Sequence, residues 1–318
     1  MVWASGMAKS AQKIVGLIRM SRPAFLVGGF AFFALGAALA WARGATLDAA
    51  VLVVGQLAIS AIQLTTHYSN EYFDFEGDLT NPNPTRWAGG SRVLPEGGLP
   101  RWSALVAAVV CSVGALAAIM VLWLGFETGA AAAPLLFAAL VLGWGYSAPP
   151  LRLEYIGLGE VNVAVVVSAL TPLTAYVLLA GQLDLEAFIA LLPLCLLQVA
   201  VSMAANFADA EGDRLAYKRT LVVRLGEGRA GRLYAGLLLA TFAALPLQLL
   251  VGLPVVVPLA VATSAPLGFW LAARMGRGTW AGSDRWDRLV FWSSGLSMAI
   301  VGLMTGALAL TAWLENTH

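Results

Sequence analysis

Charged side chains are scarce in this sequence. They make up 12% of the 318 residues, whereas a soluble domain carries about 25%. Hydrophobic residues reach 59%, and the mean hydropathy is +0.79. A single aqueous core cannot bury so much apolar surface. The composition therefore excludes a water-soluble domain and indicates an integral membrane protein.

Cysteine and net charge are also low. Cys111 and Cys195 are the two cysteines, and both lie inside apolar runs. This excludes a disulfide framework and a cysteine-based metal motif, so we interpret both as packing residues. The net charge of +1 favours no nucleic-acid partner, and we expect none.

The first 23 residues lack the apolar core of a signal peptide. Four cations flank an apolar set at helical spacing, and the residues concerned are Lys9, Lys13, Arg19 and Arg22 around Ile14, Leu17 and Ile18. This pattern predicts a short interfacial helix within residues 1–23. The alternative is a disordered tail.

Long apolar runs dominate the rest of the chain and predict an all-α bundle of about nine transmembrane helices within one domain, residues 24–313. A bilayer core takes about 20 apolar residues per helix. The predicted spans are 24–42, 47–70, 102–124, 128–146, 158–180, 185–208, 230–252, 254–275 and 289–313. Prolines interrupt the fourth and eighth, which membrane bundles tolerate.

The cations are strongly segregated by this topology. Every Lys and Arg except Arg43 falls on the side of the N-terminus. Because positive residues accumulate in cytoplasmic loops, the N-terminus is predicted to be cytoplasmic in a multi-pass protein of the cell membrane.

Two acidic clusters are near copies of each other. The first contains Asn70, Asp74 and Asp78, and the second contains Asn206, Asp209 and Asp213. The aspartates of the two clusters share one offset of 135 positions. Each cluster closes a long apolar helix on the cytoplasmic side, in the loop regions 70–101 and 206–232. Charged residues in a membrane protein are costly and indicate function by default.

The repeat extends upstream of the acidic residues. Gln63 and His67 precede the first cluster at helical spacing, and Gln198 and Ser202 precede the second. Each set predicts a polar stripe along one helix face. Since polar faces turn toward the bundle interior, we infer two related four-helix units plus a ninth helix, with the stripes facing a central cavity.

Carboxylates at these positions indicate bound cations. A helix C-terminus disfavours a carboxylate by about 0.3–1 kcal/mol. Mg²⁺ prefers oxygen ligands and usually takes one or two carboxylates plus substrate phosphates. Two matched sets therefore predict two or three Mg²⁺ ions that bridge a diphosphate. The alternative is a pair of solvated acidic loop starts.

The loops after the clusters are rich in glycine and cations. Gly89 and Gly90 allow close approach of the backbone to an anion. Lys218, Arg219 and Arg224 follow the second cluster. The mixture of acid and base favours phosphate chemistry, although cytoplasmic loops are basic for topological reasons alone.

These motifs resemble the UbiA superfamily of intramembrane prenyltransferases. Asn70-x3-Asp74-x3-Asp78 is similar to its first aspartate-rich motif, Asp209-x3-Asp213 to its second, and Tyr146 to Arg152 to its loop after the fourth helix. The resemblance implies a nine-helix bundle, Mg²⁺ and a polyprenyl diphosphate donor. The run from Asp213 to Gly226 and Gly157 to Glu160 resemble the menaquinone branch, which implies 1,4-dihydroxy-2-naphthoate as acceptor.

The resemblance leads to a hypothesis for each site residue. Metal ligation is assigned to Asn70, Asp74, Asp78, Asp209 and Asp213, with Asn206 as the partner of Asn70. Neutralisation of the leaving diphosphate is assigned to Lys218, Arg219 and Arg152. Stabilisation of the allylic cation is assigned to the ring of Tyr146. Acceptor binding is assigned to His67, Gln63 and Arg22. The alternatives are a structural His67, an interfacial Tyr146 and a topological role for Arg22.

Other functions remain open at this point. The acceptor could be 4-hydroxybenzoate or another quinone, haem, chlorophyll or lipid precursor. A terpene cyclase would use the same cation without an acceptor. A cation-coupled transporter would place its ion site near the midplane, whereas these carboxylates lie at one end. An inactive scaffold does not explain the intact aspartates.

Overall fold

A computed structural model describes residues 2–82, 84, 87, 89–278 and 283–317. Every regular element in these ranges is helical and none is a strand, which confirms the all-α prediction. Two of the cations used for the topology fall partly or wholly outside this description, namely the side chain of Lys9 and the whole of Arg86.

Six helices form the first half of the chain. They are α1 (Val2–Met20), α2 (Pro23–Trp41), α3 (Ala49–Phe73), α4 (Phe75–Thr80), α5 (Trp102–Gly125) and α6 (Gly129–Gly145). Proline opens α2, where its missing N–H costs nothing. Asp48 caps α3 by accepting hydrogen bonds from the backbone N–H groups of Ala50 and Val51.

The second half is more broken. It comprises α7 (Gly159–Val163), a π-helical turn (Ala164–Leu170), α8 (Thr171–Ala180), α9 (Leu185–Leu215), α10 (Leu221–Leu225), α11 (Glu227–Ala243), α12 (Pro246–Leu250), α13 (Val256–Ala262), α14 (Ala265–Gly276) and α15 (Ser283–Asn316). Breaks of this kind in membrane helices are satisfied by neighbouring side chains. At the π-helical turn, the Thr171 hydroxyl donates to the Val166 carbonyl.

Seven helical stretches are long and apolar enough to cross a membrane in the described part of the chain. The α13–α14 pair becomes an eighth if its 44° bend lies within one span. The fourth predicted span is α6, whose 17 residues make it a shorter apolar helix. The predicted count of nine is therefore not confirmed, because one segment is short and another is bent near Pro266.

The helices of the two halves pack into one continuous core. The last helix, α15, packs against both α2 and α9, while α3 packs against α5 and α9 against α11. Thus α15 joins the first half to the second. The polar stripes lie on α3 and α9, and both helices border a cavity inside the bundle.

A smaller cluster of buried residues orders the loop after α4. Its members come from α1, α3, the loop and α5, and they are Met20, Tyr68, Val93, Leu94, Leu99, Ala104 and Ala108. The Tyr68 hydroxyl also donates to the Leu17 carbonyl at 3.1 Å. This cluster holds the segment from Gly89 to Leu99 against the end of α3, next to the first acidic cluster.

Candidate active site

A cavity inside the bundle has a volume of about 490 Å³, which lies within the range of small-molecule sites. It has a polar end, formed by both acidic clusters, and apolar walls from α2, the π-helical turn and α15. Most of the predicted site residues line it: Arg22, Gln63, His67, Asn70, Asp74, Asp78, Tyr146, Asn206, Asp209, Asp213 and Lys218.

The two acidic clusters reach this cavity in different ways. Asp74 is the single residue that separates α3 from α4, and Asp78 lies within α4. Asp209 and Asp213 lie inside α9, which extends to Leu215 rather than ending at 208 as predicted. Their four-residue spacing places them on one helix face. The interruption at Asp74 directs the first pair toward that face.

Lys218 lies between the two clusters. Its Nζ is 2.5 Å from Asp74 Oδ2, 3.3 Å from Glu154 Oε2 and 3.8 Å from Asp213 Oδ1. Lys218 is 8% exposed. Asp74 and Asp213 therefore face each other across one buried ammonium group, and the two polar stripes open onto one cavity.

The loop after α4 also connects the clusters. Asn81 Nδ2 donates to Asp209 Oδ1 at 2.8 Å, and the backbone N–H of Gly89 donates to Asp209 Oδ2 at 3.1 Å. Thr220 donates to Asp213 Oδ2 at 3.2 Å. The Arg92 guanidinium donates to the backbone carbonyl of Asp78. Residues near the first cluster thus orient the carboxylate of the second.

Gly90 packs directly against Asp78, with φ at +74°. A Cβ atom there would collide with both oxygens of the Asp78 carboxylate. We expect Gly90→Ala to displace Asp78 and lower divalent-metal affinity by about tenfold. Gly97→Ala is the matched control, because Gly97 has φ at +73° but no atom near its Cβ position. Both variants carry the backbone strain of about 1–2 kcal/mol. Equal metal affinities measured by calorimetry would contradict the expectation.

A second ion pair supports the first cluster. Arg22 donates to Glu71 Oε1 through Nη2 at 2.8 Å and Nε at 3.2 Å. The backbone N–H and hydroxyl of Ser91 also donate to Glu71, at 2.9 and 2.6 Å. Asn70 accepts from Arg22 at 3.1 Å and donates to Ser147 at 2.8 Å. The Asn70 amide is therefore held in one orientation at the cavity wall.

The inner part of the cavity is lined by uncharged polar groups. The Nδ1 atom of His67 lies 2.7 Å from the Ser21 carbonyl oxygen. His67 thus bonds to a neighbouring segment and also lines the cavity. Gln63, beside it on α3, packs against Gly29 of α2. Gln198 and Ser202 of α9 line the same region, as the polar stripes predicted.

Two predicted cations are not among the residues that line the cavity. The Arg152 guanidinium lies over the Tyr155 ring at 3.7 Å from its centroid. The Arg219 side chain is exposed, while its backbone N–H donates to the Tyr155 carbonyl at 3.2 Å. The tight turn after α9 directs Lys218 inward and Arg219 outward, so adjacent residues have opposite environments.

Several residues of this site have no role in the hypothesis drawn from the sequence. Glu154 contacts Lys218, and the Tyr155 hydroxyl donates to Asp74 Oδ1 at 3.2 Å. Glu160 accepts from Asn206 Nδ2 and from the backbone N–H of Leu221, both at 2.7 Å. Glu154 and Glu160 are 4% and 1% exposed. The sequence signal for both is that acidic residues are rare in so apolar a chain, and Glu160 also ends the segment from Gly157 that resembles the menaquinone branch.

Burial strongly affects the pKa values of ionisable side chains that lie outside the membrane spans. Burial, with the Asp74 carboxylate next in importance, raises the pKa of Asp78 to about 8. Burial also raises the pKa of Glu154 to about 7, against the effect of Lys218. Burial disfavours the charged form of Lys218, but the carboxylates of Glu154, Asp74 and Asp213 outweigh it and hold its pKa well above the usual range.

The site offers the oxygen ligands that Mg²⁺ prefers, from four aspartates around one cavity. Within the described ranges, no three Asp, Glu, His or Cys side chains form a closed metal cage. Lys218 lies where Asp74 and Asp213 would otherwise converge. Mg²⁺ needs only one or two carboxylates when substrate phosphates complete its shell, so the residues fit such an ion.

Known proteins are similar to this chain in sequence. The 1,4-dihydroxy-2-naphthoate octaprenyltransferase of Mycobacterium tuberculosis is 30% identical over 315 residues, which cover 95% of this chain and 98% of that protein. The enzyme of the same name from Escherichia coli is 30% identical over 232 residues, covering 71% and 73%.

Solved structures share the fold. A UbiA homolog from Archaeoglobus fulgidus, bound to GPP and Mg²⁺, superimposes with a TM-score of 0.58 at 16% identity and covers 91% of this chain and 99% of its own. The model of the UbiA prenyltransferase family matches residues 30–295. This chain is therefore a multi-pass membrane enzyme that transfers prenyl groups, and it belongs to the UbiA prenyltransferase family.

Proposed function

We propose that this enzyme transfers a polyprenyl chain from a polyprenyl diphosphate to 1,4-dihydroxy-2-naphthoate, in menaquinone biosynthesis and with Mg²⁺. One observation carries the proposal: two aspartate pairs from distant parts of the chain line one cavity together with a buried lysine and an apolar wall. A diphosphate with bound cations matches the polar end, and an isoprenoid chain matches the apolar walls.

The carboxylates of Asp74, Asp78, Asp209 and Asp213 would hold two or three Mg²⁺ ions. When bound, these ions neutralise the charge that develops on the leaving diphosphate. Asn70 would contribute its amide oxygen, which Arg22 and Ser147 already orient. Asn206 would play the corresponding part on α9, where Glu160 fixes its amide.

The cations of the chain supply the remaining charge for the diphosphate. Lys218 and Arg22 line the cavity, and we assign the leaving group to them. This replaces the acceptor role that the sequence suggested for Arg22, because its guanidinium bonds to Asn70 and Glu71 beside the first acidic cluster. Because Gly90 has no side chain, the diphosphate could approach the backbone closely at this position. Arg152 and Arg219 keep only a long-range role in this proposal, because neither lines the cavity.

The allylic carbon would be ionised beside Tyr146, which lines the cavity and whose backbone carbonyl accepts from the Glu154 N–H at 3.0 Å. An aromatic ring face stabilises a cation by about 0.5–2 kcal/mol. The apolar wall for the prenyl chain comes from α2 and α15, including Phe32 and Met298. The tail would lie along this wall and extend toward lipid.

The acceptor would bind among the uncharged polar groups of the inner cavity. Gln63 and His67 come from α3, and Gln198 and Ser202 come from α9. These side chains can donate to or accept from ring hydroxyls. The similarity to naphthoate octaprenyltransferases along 95% of the chain supports this acceptor.

We further propose that the N-terminus and the polar mouth of the cavity face the cytoplasm, in the cell membrane. The charge distribution supports this orientation, because all Lys and Arg residues except Arg43 are assigned to one side of the predicted topology. The soluble diphosphate product would then leave on the cytoplasmic side.

A panel of acceptors tests the proposal. With Mg²⁺ and one polyprenyl diphosphate, we expect purified protein to release pyrophosphate at least about 100-fold faster with 1,4-dihydroxy-2-naphthoate than with 4-hydroxybenzoate, since a polar pocket rejects ligands that leave its groups unpaired. The products are identified by mass spectrometry.

Three outcomes would contradict the proposal. Preferred use of 4-hydroxybenzoate would show that the proposed acceptor is wrong. Pyrophosphate release with a cyclic hydrocarbon product and no acceptor would indicate a terpene cyclase. Cation-dependent uptake into vesicles without pyrophosphate release would indicate transport.

A further inference from the structure

Three carboxylates surround the Lys218 ammonium group, and they come from three parts of the chain. Asp74 follows α3, Asp213 belongs to α9, and Glu154 lies in the loop between α6 and α7. All four side chains are less than 10% exposed. At such depth the attraction between opposite charges is far less screened than in water. Lys218 is therefore the counter-ion that makes this acidic cluster tolerable.

Lys218 and a metal ion would compete for the same oxygens. Its Nζ lies 2.5 Å from Asp74 Oδ2, and Mg²⁺ binds a carboxylate oxygen at about 2.0–2.1 Å. An ion on Asp74 would stand within a few ångströms of the ammonium, where like charges repel strongly. The ammonium group and a metal ion cannot both occupy the position beside Asp74 Oδ2.

On the basis of the proposed function, we propose that Lys218 is a built-in cation that the metal must displace, and that Glu154 is the positioning residue that keeps the displaced ammonium paired. Glu154 belongs to neither aspartate motif. Its Oε2 is already 3.3 Å from Nζ, so only a short movement is needed.

Glu154 has the capacity for this role. Its Oε1 makes no hydrogen bond of normal geometry in the described structure, although the Ser147 hydroxyl lies close enough to interact with the carboxylate. The carboxylate can therefore accept a second bond from the ammonium. Removing the partner of a buried charge is strongly unfavourable, because the remaining charge is left uncompensated. Without Glu154, metal binding would leave Lys218 buried and unpaired. With it, the ammonium stays in the cavity and is available to the diphosphate.

The displacement also links metal binding to the arrival of the diphosphate. Before binding, the ammonium neutralises part of the cluster, so an ion alone gains little. When a diphosphate arrives with its metal, it offers Lys218 a new anionic partner. The protein would thus bind metal weakly alone and more tightly together with a diphosphate.

Binding of Mn²⁺ alone, measured from the loss of the free-ion signal in electron paramagnetic resonance, tests the proposal. Mn²⁺ accepts the same oxygen ligands. We expect Lys218→Met to bind Mn²⁺ about tenfold more tightly and Glu154→Gln about tenfold more weakly than the unchanged protein. In the Lys218→Met background, Glu154→Gln should change the affinity by less than about twofold, because Glu154 acts through Lys218.

Matched controls remove the same charges on exposed positions nearby. Arg214 and Glu211 lie on either side of Asp213 on α9, and both side chains are exposed. The control variants are Arg214→Met and Glu211→Gln. Neither should change Mn²⁺ affinity by more than about twofold, since exposed charges are screened. Lys218→Gln serves as a second neutral variant if Lys218→Met unfolds.

The outcomes separate this inference from the proposed function. If Glu154→Gln weakens Mn²⁺ binding equally with and without Lys218, Glu154 is a metal ligand and the inference is overturned. If Lys218→Met and Lys218→Gln both fail to tighten binding, the competition does not exist. If Asp74→Asn leaves Mn²⁺ binding unchanged, the proposed metal site itself fails.

Discussion

Asp74→Asn is expected to lower prenyl transfer by about 10³-fold or more, with the protein still folded. Asparagine keeps the shape of the side chain but removes the charge that we propose to hold Mg²⁺. Lys218 would keep Asp213 and Glu154 as partners, so the buried ammonium is not left unpaired. Asp209→Asn should have a comparable effect, because Asp209 lines the same cavity from α9.

Asp48→Asn is the matched control for these variants. Asp48 caps the opposite end of α3, and asparagine caps a helix about as well as aspartate. Turnover is measured as pyrophosphate release at saturating Mg²⁺, and folding as the melting temperature in detergent. Turnover of either motif variant within about tenfold of the unchanged enzyme would refute the assigned role of that aspartate.

Glu71→Ala is expected to cause the largest loss of stability, about 3 kcal/mol. Glu71 is 1% exposed and accepts four hydrogen bonds. Its removal leaves the Arg22 guanidinium without its carboxylate and the Ser91 N–H and hydroxyl without an acceptor. The loop that carries Gly89 and Gly90 would lose its attachment to α3, so affinity for a diphosphate should fall as well.

Glu76→Ala provides the comparison within the same motif. The Glu76 side chain is 71% exposed and pairs with Arg101 at 3.2 Å. Exposed pairs contribute about 0–1 kcal/mol, so this variant should unfold close to the temperature of the unchanged protein. Thermal unfolding in detergent measures both. Equal melting temperatures for the two variants would show that the Arg22–Glu71 pair does not stabilise the loop.

The transmembrane segments could be predicted because their signal is local. Apolar runs and helical spacing identified the positions of α2, α3 and α5 within a few residues, and the start but not the end of α9. The count was less accurate where prolines and short segments occur, in α6 and in the bent α13–α14 pair. Hydropathy does not distinguish a short or bent helix from a straight one, because the backbone breaks depend on neighbouring helices.

The acidic residues of the site were also visible in the sequence. The shared offset of Asp74 with Asp209, and of Asp78 with Asp213, indicates a paired site from the sequence alone. Arg152 and Arg219 were assigned to the diphosphate from their charge and position in the loops. Neither side chain is among those that line the cavity, because Arg152 lies over the Tyr155 ring and Arg219 is exposed. The direction of a loop side chain is set by packing rather than by sequence spacing.

By itself, the sequence determined that this protein is a helical membrane protein with two matched aspartate motifs, because composition and periodicity depend only on nearby residues. Only the tertiary structure decided that Lys218 lies between those motifs and that Glu154 stands beside it. These contacts join residues 144 and 64 positions apart. No local pattern records such pairs, because they exist only once the helices and their loops have packed around one buried charge.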